Sequence, residues 1–385
     1  MLCGPQGISR RALWLSNRLD GGPVSDSVLP QSPPGKRLVR ILQAMAGGKH
    51  GGAEKFFLRL AIAFQNQTDV EQHVLVKKNS VWSAPLRDAG IKPVELPFGG
   101  LLDISSKGRF GKEIQSFDPD VVLTWMNRAT SFCPPRSGKQ KFMHVARQGG
   151  YYDLKYYQNC DHLIGNTQDI VDYLINEGWP AERAHYLPNF VDATPLPPVS
   201  RANLDTPEDA PLLVALGRLH TNKAFDVLIT ALAQTANTWL WIAGAGPEKE
   251  NLENLAEKLG VSNRVRFLGW RDDAAALYAT ADIFVCPSRH EPLGNVVIEA
   301  WAQHCPVIAA AASGPKTLIN SGKNGLLVAM DDADALAEAI QRLTNEPDTC
   351  KALVEAGFAA YQASFTEEAV VQRYLEFFKT IAGQS

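Results

Sequence analysis

From residue 37 onward, short apolar runs alternate with longer stretches of helical periodicity. Residues 38–42 form the first run. A glycine-rich turn follows (Gly47, Gly48, Gly51, Gly52), and then Phe56, Phe57, Leu60, Ile62 and Phe64 recur at the spacing of a helix buried against a sheet. Further strands are predicted at 73–76, 93–96, 121–124 and 142–146, with helices before Phe117 and over 168–177. The second half repeats the pattern, with strands at 212–216, 239–243, 265–268, 283–286, 307–310 and 326–328 and helices between them; two more helices, over about 348–362 and 367–379, close the chain. Strands that alternate with helices in this way imply parallel sheets covered on both faces. No short-period repeat is visible, which argues against a solenoid.

Six prolines (Pro188, Pro195, Pro197, Pro198, Pro207 and Pro211) crowd one polar stretch between the two halves and mark a linker. The expected organisation is therefore a disordered leader over 1–36, a first domain over 37–190, a linker over 191–211, a second domain over 212–365, and a C-terminal helix over 366–385 that could pack back on the first domain. The fold class is α/β: two doubly wound Rossmann-like domains facing each other across a cleft.

Composition narrows the picture. At 385 residues the chain suits two domains, and 45% hydrophobic with 21% charged residues is the balance of a packed globular protein. The six cysteines are scattered without paired spacing, which disfavours a zinc site or a disulfide framework and suggests a reducing compartment. No run approaches the roughly 20 apolar residues that span a bilayer. Charge is uneven: 36–191 carries a net +5 and 192–385 a net −9. A basic first half could meet an anionic membrane surface or a phosphorylated acceptor, or be a chance imbalance of solvated faces.

The candidate chemistry lies where strands of the second half run into helices, since open parallel sheets bind ligands beyond the carboxyl ends of their strands. After the strand at 212–216, Arg218 and Lys223 could point into the cleft from one loop and stabilise a leaving diphosphate; a solvated basic turn would read the same. After the next strand, Gly244 and its small neighbours would let a nucleotide approach the backbone, but the full dinucleotide fingerprint is absent, which counts against an NAD enzyme. The backbone around Leu268, with Trp270 beyond it, could frame a base or be a plain core strand. After the strand at 283–286 come Glu291, Leu293, Gly294 and Asn295, then Glu299 in the second turn of a helix. Free amides at that helix start suit phosphate. Two carboxylates so offset could grip hydroxyls on either side of a diphosphate, or be simple helix-end charges.

Together these segments, with Glu291-Pro-Leu-Gly-x4-Glu299-Ala downstream of Gly217-Arg218-Leu and Lys223, resemble family four of the retaining glycosyltransferases, which have the GT-B fold. Gly51-Gly52-Ala53-Glu54 resembles that family's entry to its first helix, and Leu187-Pro188-Asn189-Phe190-Val191-Asp192 its hinge motif. Gly314-Pro315 and Asn324-Gly325-Leu326-Leu327-Val328 match its later cleft loop and strand. The resemblance covers nearly all of the chain after Lys36.

It implies that Glu291 binds donor-sugar hydroxyls and that Leu293, Gly294 and Asn295 offer backbone amides to sugar and phosphate. Glu299 would hold the ribose, Arg218 and Lys223 would neutralise the diphosphate, and Gly51 and Gly52 would touch it from the opposite domain. It also implies no metal and no further cofactor, the co-substrate being a UDP- or GDP-linked sugar. There are departures: Leu293 replaces a usual Phe, Ala224 a usual Gly, and Lys316-Thr317 displaces a Glu. The family's His-Gly near the reacting centre is not matched directly, and either His144 or Arg147 could occupy that place.

The expected activity is transfer of a sugar, with retention of configuration, to a glycan or glycolipid acceptor of the lipopolysaccharide type. The enzyme would be cytoplasmic, could touch the inner face of the membrane through its first domain, and would have no nucleic-acid partner. A sugar-nucleotide epimerase of the same fold and a non-catalytic sugar-nucleotide binder are the alternatives. Acceptor choice would rest on loops over 98–110, 125–136 and 149–157, where Tyr151, Tyr152, Tyr156 and Tyr157 could stack on a sugar or simply pack.

Overall fold

The computed structural model describes residues 37–48, 51–99, 103–136, 138 and 140–383; the leader expected over 1–36 lies outside the described residues. Residues from Arg37 onward form one compact unit. It contains two sheets, and every strand pair in them is parallel.

The first sheet holds β1 (Val39–Met45), β2 (Val70–Lys77), β3 (Val94–Leu96), β4 (Val121–Trp125), β5 (Met143–Gln148), β6 (His162–Gly165) and β7 (Ala184–Tyr186), in the order β3-β2-β1-β4-β5-β6-β7. Its crossovers carry α1 (Gly52–Gln65), α2 (Ser83–Asp88), α3 (Ile104–Phe117), α4 (Met126–Phe132) and α5 (Gln168–Asn176). The second sheet holds β8 (Leu212–Leu216), β9 (Trp239–Ala243), β10 (Val265–Gly269), β11 (Ile283–Cys286), β12 (Val307–Ala310) and β13 (Leu326–Val328), in the order β10-β9-β8-β11-β12-β13. Its helices are α6 (Phe225–Ala233), α7 (Lys249–Lys258), α8 (Ala274–Thr280), α9 (Asn295–Ala302), α10 (Ser313–Leu318), α11 (Ala333–Asn345) and α12 (Pro347–Ser364).

In both sheets the winding reverses at the first strand, between β1 and β4 and between β8 and β11. Loops leave in opposite directions there and open a crevice for a ligand. The strands are apolar on both sides because helices cover both faces. Ile41 and Met45 of β1 join one cluster with Phe57 and Phe64, while Leu42 and Ala44 join another with Phe98 and Phe110.

A last helix, α13 (Glu367–Gly383), leaves the second sheet and packs on the first. Tyr374 and Phe378 meet Phe64 with ring centroids 6.2 Å apart in each case, and Lys379 Nζ lies 2.6 Å from Asp69 Oδ2. The proline-rich stretch is held down as well. Arg201 donates to the carbonyls of Glu208, Ala210 and Thr280 and pairs with Asp282.

Two short strands, β6 and β7, have no counterpart in the apolar pattern. They are four and three residues long and include His162 and His185, too brief and mixed for alternation to show. Also, β5 extends two residues beyond the predicted 142–146, so Arg147 and Gln148 belong to the strand rather than to the loop after it.

Candidate active site

The loop from β8 to α6 and the loop from β11 to α9 meet at the switch point of the second sheet. Lys223 Nζ lies 2.5 Å from Glu291 Oε2, and the other carboxylate oxygen accepts from the Gly294 amide at 3.2 Å. Glu291 is 9% exposed, so this charge pair sits in a partly dehydrated setting where its attraction is stronger than in water. The backbone is tied in too. Asn222 O accepts from the Arg289 and His290 amides, and the Gly314 amide donates to Glu291 O at 2.8 Å. A Cβ on Gly314 would lie 2.6 Å from that same oxygen and from the Gly294 nitrogen, so only glycine allows the start of α10 to approach this closely. Ala224 follows Lys223 with φ 50° and ψ 37°, a left-handed conformation that costs a non-glycine about 1–2 kcal/mol, which accounts for the usual glycine at this point.

Arg218 is exposed and has no side-chain partner among the described residues, which leaves its guanidinium available beside the β8 terminus. Arg289 is not available: it bridges Asp226 and Asp331. Gly244 N donates to Gly269 O at 2.7 Å and closes the ends of β9 and β10, next to Leu268. Glu299, half-buried in the second turn of α9, accepts from Tyr278 Oη at 3.2 Å. Burial pushes its carboxyl above the usual carboxylate range, opposed by the Tyr278 bond and by the charges of Arg59 and Lys55.

Those two cations belong to α1, on the other sheet. Lys55 Nζ stands 5.8 Å from the ring centre of Trp270, which is 67% exposed. The helix start is organised by Glu54, whose Oε1 accepts from the Gly48 amide at 2.9 Å; a Cβ on Gly51 would fall 2.1 Å from the carboxylate. Gly52, by contrast, faces open space. Glu54 is the last residue of the Gly-Gly-Ala-Glu motif. The structure shows that it shapes the loop.

His144 and Arg147 separate clearly. His144 is the second residue of β5, at the end of the strand opposite the cleft. Its ring contacts Thr124 Oγ1 at 3.0 Å and Asn159 O at 3.3 Å, and burial pulls its pKa down to about 4. This is a satisfied interior histidine, and the expectation of a cleft role is corrected: a parallel strand presents its carboxyl end, not its amino end, to the ligand. Arg147 is nearer the cleft but only 2% exposed, its guanidinium engaged by Tyr374 and Asn189 and flanked by Phe56 and Trp125. Arg147, the other candidate for the place near the reacting centre, is thus on the cleft side of the strand with its guanidinium held by the protein's own groups.

The structure brings forward two side chains absent from the sequence reading. Gln148, the last residue of β5, is fully buried, yet neither amide atom has a partner among the described residues. Asn166, just beyond β6, lines the cavity between the sheets opposite Leu293, Asn295 and Gly314, and its Oδ1 is likewise unpartnered. A polar residue at a strand end carries no periodic signal, so neither could be found from spacing. Of the four tyrosines considered for stacking, Tyr157 is fully buried and donates to Asn127, Tyr152 packs beside it, and Tyr151 and Tyr156 are exposed.

Over 336 residues the chain is 36% identical to "Lipopolysaccharide core biosynthesis glycosyltransferase LpsE" of Rhizobium meliloti, covering 86% of this chain and 96% of that protein. The family described as "Glycosyl transferases group 1" matches residues 198–359. The chain belongs to the group 1 glycosyltransferases. A second relative of this group, "Lipopolysaccharide core biosynthesis glycosyltransferase LpsD" of the same organism, is 37% identical over 334 residues, with the same coverage of both chains. The fold of this glycosyltransferase is GT-B. The crystal structure of Anabaena HepE in complex with UDP and glucose superposes with a TM-score of 0.72 over 89% of this chain and 100% of that one, at 23% identity. Among the described residues of the glycosyltransferase, no helix is long and apolar enough to cross a membrane.

Proposed function

We propose that this glycosyltransferase takes a sugar from a UDP- or GDP-linked donor and attaches it, with retention of configuration and without a metal ion, to a lipopolysaccharide-type glycan or glycolipid. The Lys223–Glu291–Gly294 arrangement is the observation that carries this reading: a cation, a carboxylate and a helix-start amide meet at one switch point, beside the exposed Arg218. The names of LpsE and LpsD support the acceptor class, and the UDP and glucose in the HepE structure support the donor class.

In this mechanism the bond between the anomeric carbon and the diphosphate oxygen breaks. Arg218, Lys223 and the α9 amides stabilise the charge that collects on the diphosphate. The acceptor hydroxyl attacks from the same face, and its proton passes to the departing diphosphate, so no protein nucleophile is required. Glu291 holds hydroxyls of the transferred sugar and Glu299 holds the ribose. The net positive charge of 36–191 supports peripheral contact with an anionic cytoplasmic leaflet.

Calorimetric and thermal-shift binding of UDP, GDP and ADP, compared between wild type and Glu299→Ala, tests the donor site. Stabilisation by one nucleotide, lost in the variant, is the expected result; binding of none of the three overturns the reading. The anomeric configuration of the product, read by NMR, tests retention, and an inverted linkage refutes it.

A further inference from the structure

Arg147 is a buried cation without an acidic partner among the described residues. Withdrawing a guanidinium from water costs several kcal/mol unless the surroundings replace its hydration. Here neutral groups do so. Nε donates to Tyr374 Oη at 2.9 Å, Nη2 donates to Asn189 Oδ1, and the rings of Phe56 and Trp125 lie with centroids 4.6 and 4.8 Å from the guanidinium carbon. These partners come from four different places: the returning helix α13, the segment joining the two sheets, the first helix and β4.

The contact continues beyond Arg147. The Asn189 amide nitrogen donates to Asn295 Oδ1 at 3.3 Å, and Asn295 is the first residue of α9, whose start faces the cleft. Phe190, next to Asn189, packs edge-on against Phe56 at 5.2 Å. An unbroken polar chain thus runs Tyr374–Arg147–Asn189–Asn295, from the last helix on the first sheet to the phosphate-facing helix on the second. A planar guanidinium with fixed donor directions can hold Oη and Oδ1 in a set relative geometry, which a flexible ammonium cannot. With its Oδ1 held by Arg147, the Asn189 amide is oriented so that its nitrogen points to Asn295.

We propose that Arg147 is a positioning residue: acting through Asn189, it sets where the first turn of α9 sits relative to the first sheet, and α13 is the anchor from which it does so. The C-terminal helix therefore tunes nucleotide binding at a site it does not touch. This inference rests on the reading of the α9 start as the diphosphate site.

A double-mutant cycle on the full-length chain tests it, with UDP and GDP as probes and the dissociation constant measured by calorimetry. Tyr374→Phe removes one hydroxyl and leaves the ring packing intact, and it is expected to weaken binding of the preferred nucleotide about fivefold. In an Asn295→Ala background the same change is expected to have no further effect, because the chain is already cut. Arg147→Lys, which keeps the charge but not the two-directional geometry, is expected to follow the same pattern and serves if Tyr374→Phe folds poorly. A merely structural role would lower the thermal midpoint equally in both backgrounds and leave no coupling in the dissociation constants. Equal losses in both backgrounds, or no loss in either, overturn the relay alone. A wild-type chain that binds neither nucleotide overturns the donor-site reading, and the relay with it.

Discussion

Lys223 and Glu291 stand 68 residues apart in sequence, yet Nζ and Oε2 lie 2.5 Å apart and join the end of β8 to the start of α9. In this state the carboxylate holds the cation that the mechanism assigns to the diphosphate. A bound diphosphate must share Lys223 with Glu291 or draw it away, so the pair presets the side chain and also competes with the ligand.

Glu291→Gln is therefore expected to split binding from turnover. Removing the negative charge frees Lys223, so affinity for the nucleoside diphosphate should hold or rise. Loss of the sugar-holding carboxylate should lower transfer at least about 100-fold. Calorimetry with UDP and GDP, alongside the rate of nucleoside diphosphate release from the donor, reads both. Weaker diphosphate binding with unchanged turnover would contradict the assigned roles.

Glu299 should give donor binding a pH dependence. Burial raises its carboxyl pKa, so the folded state keeps a proton at a pH where the unfolded chain has lost it. This group's contribution to stability is then largest at low pH and falls as pH rises through the raised pKa. Nucleotide binding should run the opposite way, since an ionised carboxylate accepts ribose hydroxyl bonds better, and should weaken as pH drops into that window. Glu299→Gln should flatten both profiles. Thermal midpoints and dissociation constants measured across the acid range check the two slopes together.

His144 should matter for stability and not for ligand. His144→Ala opens a cavity and removes one of the three hydrogen bonds of Thr124 Oγ1, which keeps Thr130 and Val145, for an expected loss of about 2–4 kcal/mol in denaturant unfolding, with UDP and GDP affinity unchanged. Because burial depresses the ring from its ordinary 6.5 to about 4, its contribution is complete above 6.5 and is lost as pH falls from there towards 4. Loss of nucleotide binding in a variant that is still folded would return His144 to the cleft.

Gln148 should be a residue held at a cost to stability. Two unpartnered buried amide atoms are unfavourable by about 1–3 kcal/mol, so Gln148→Met, similar in volume and apolar at its end, is expected to raise the thermal midpoint. A lower midpoint would show that the amide is satisfied in solution.

The alternating strand and helix pattern, the glycine-rich turns and the Glu291 to Glu299 spacing are local features, each written within a dozen residues. They were enough to determine the α/β class, the two doubly wound sheets and the strand ends around which the site is built. Strand order, the pairing of Lys223 with Glu291 and the return of α13 to the first sheet depend on contacts between distant segments, which periodicity does not encode. The clearest case is the stretch from His144 to Gln148. In sequence His144 and Arg147 were equal candidates three residues apart. Only the sheet told their positions apart. Strand direction put His144 at the end away from the cleft, alternation turned Arg147 toward Tyr374 and Asn189, and the strand's extra length left Gln148 at the carboxyl edge.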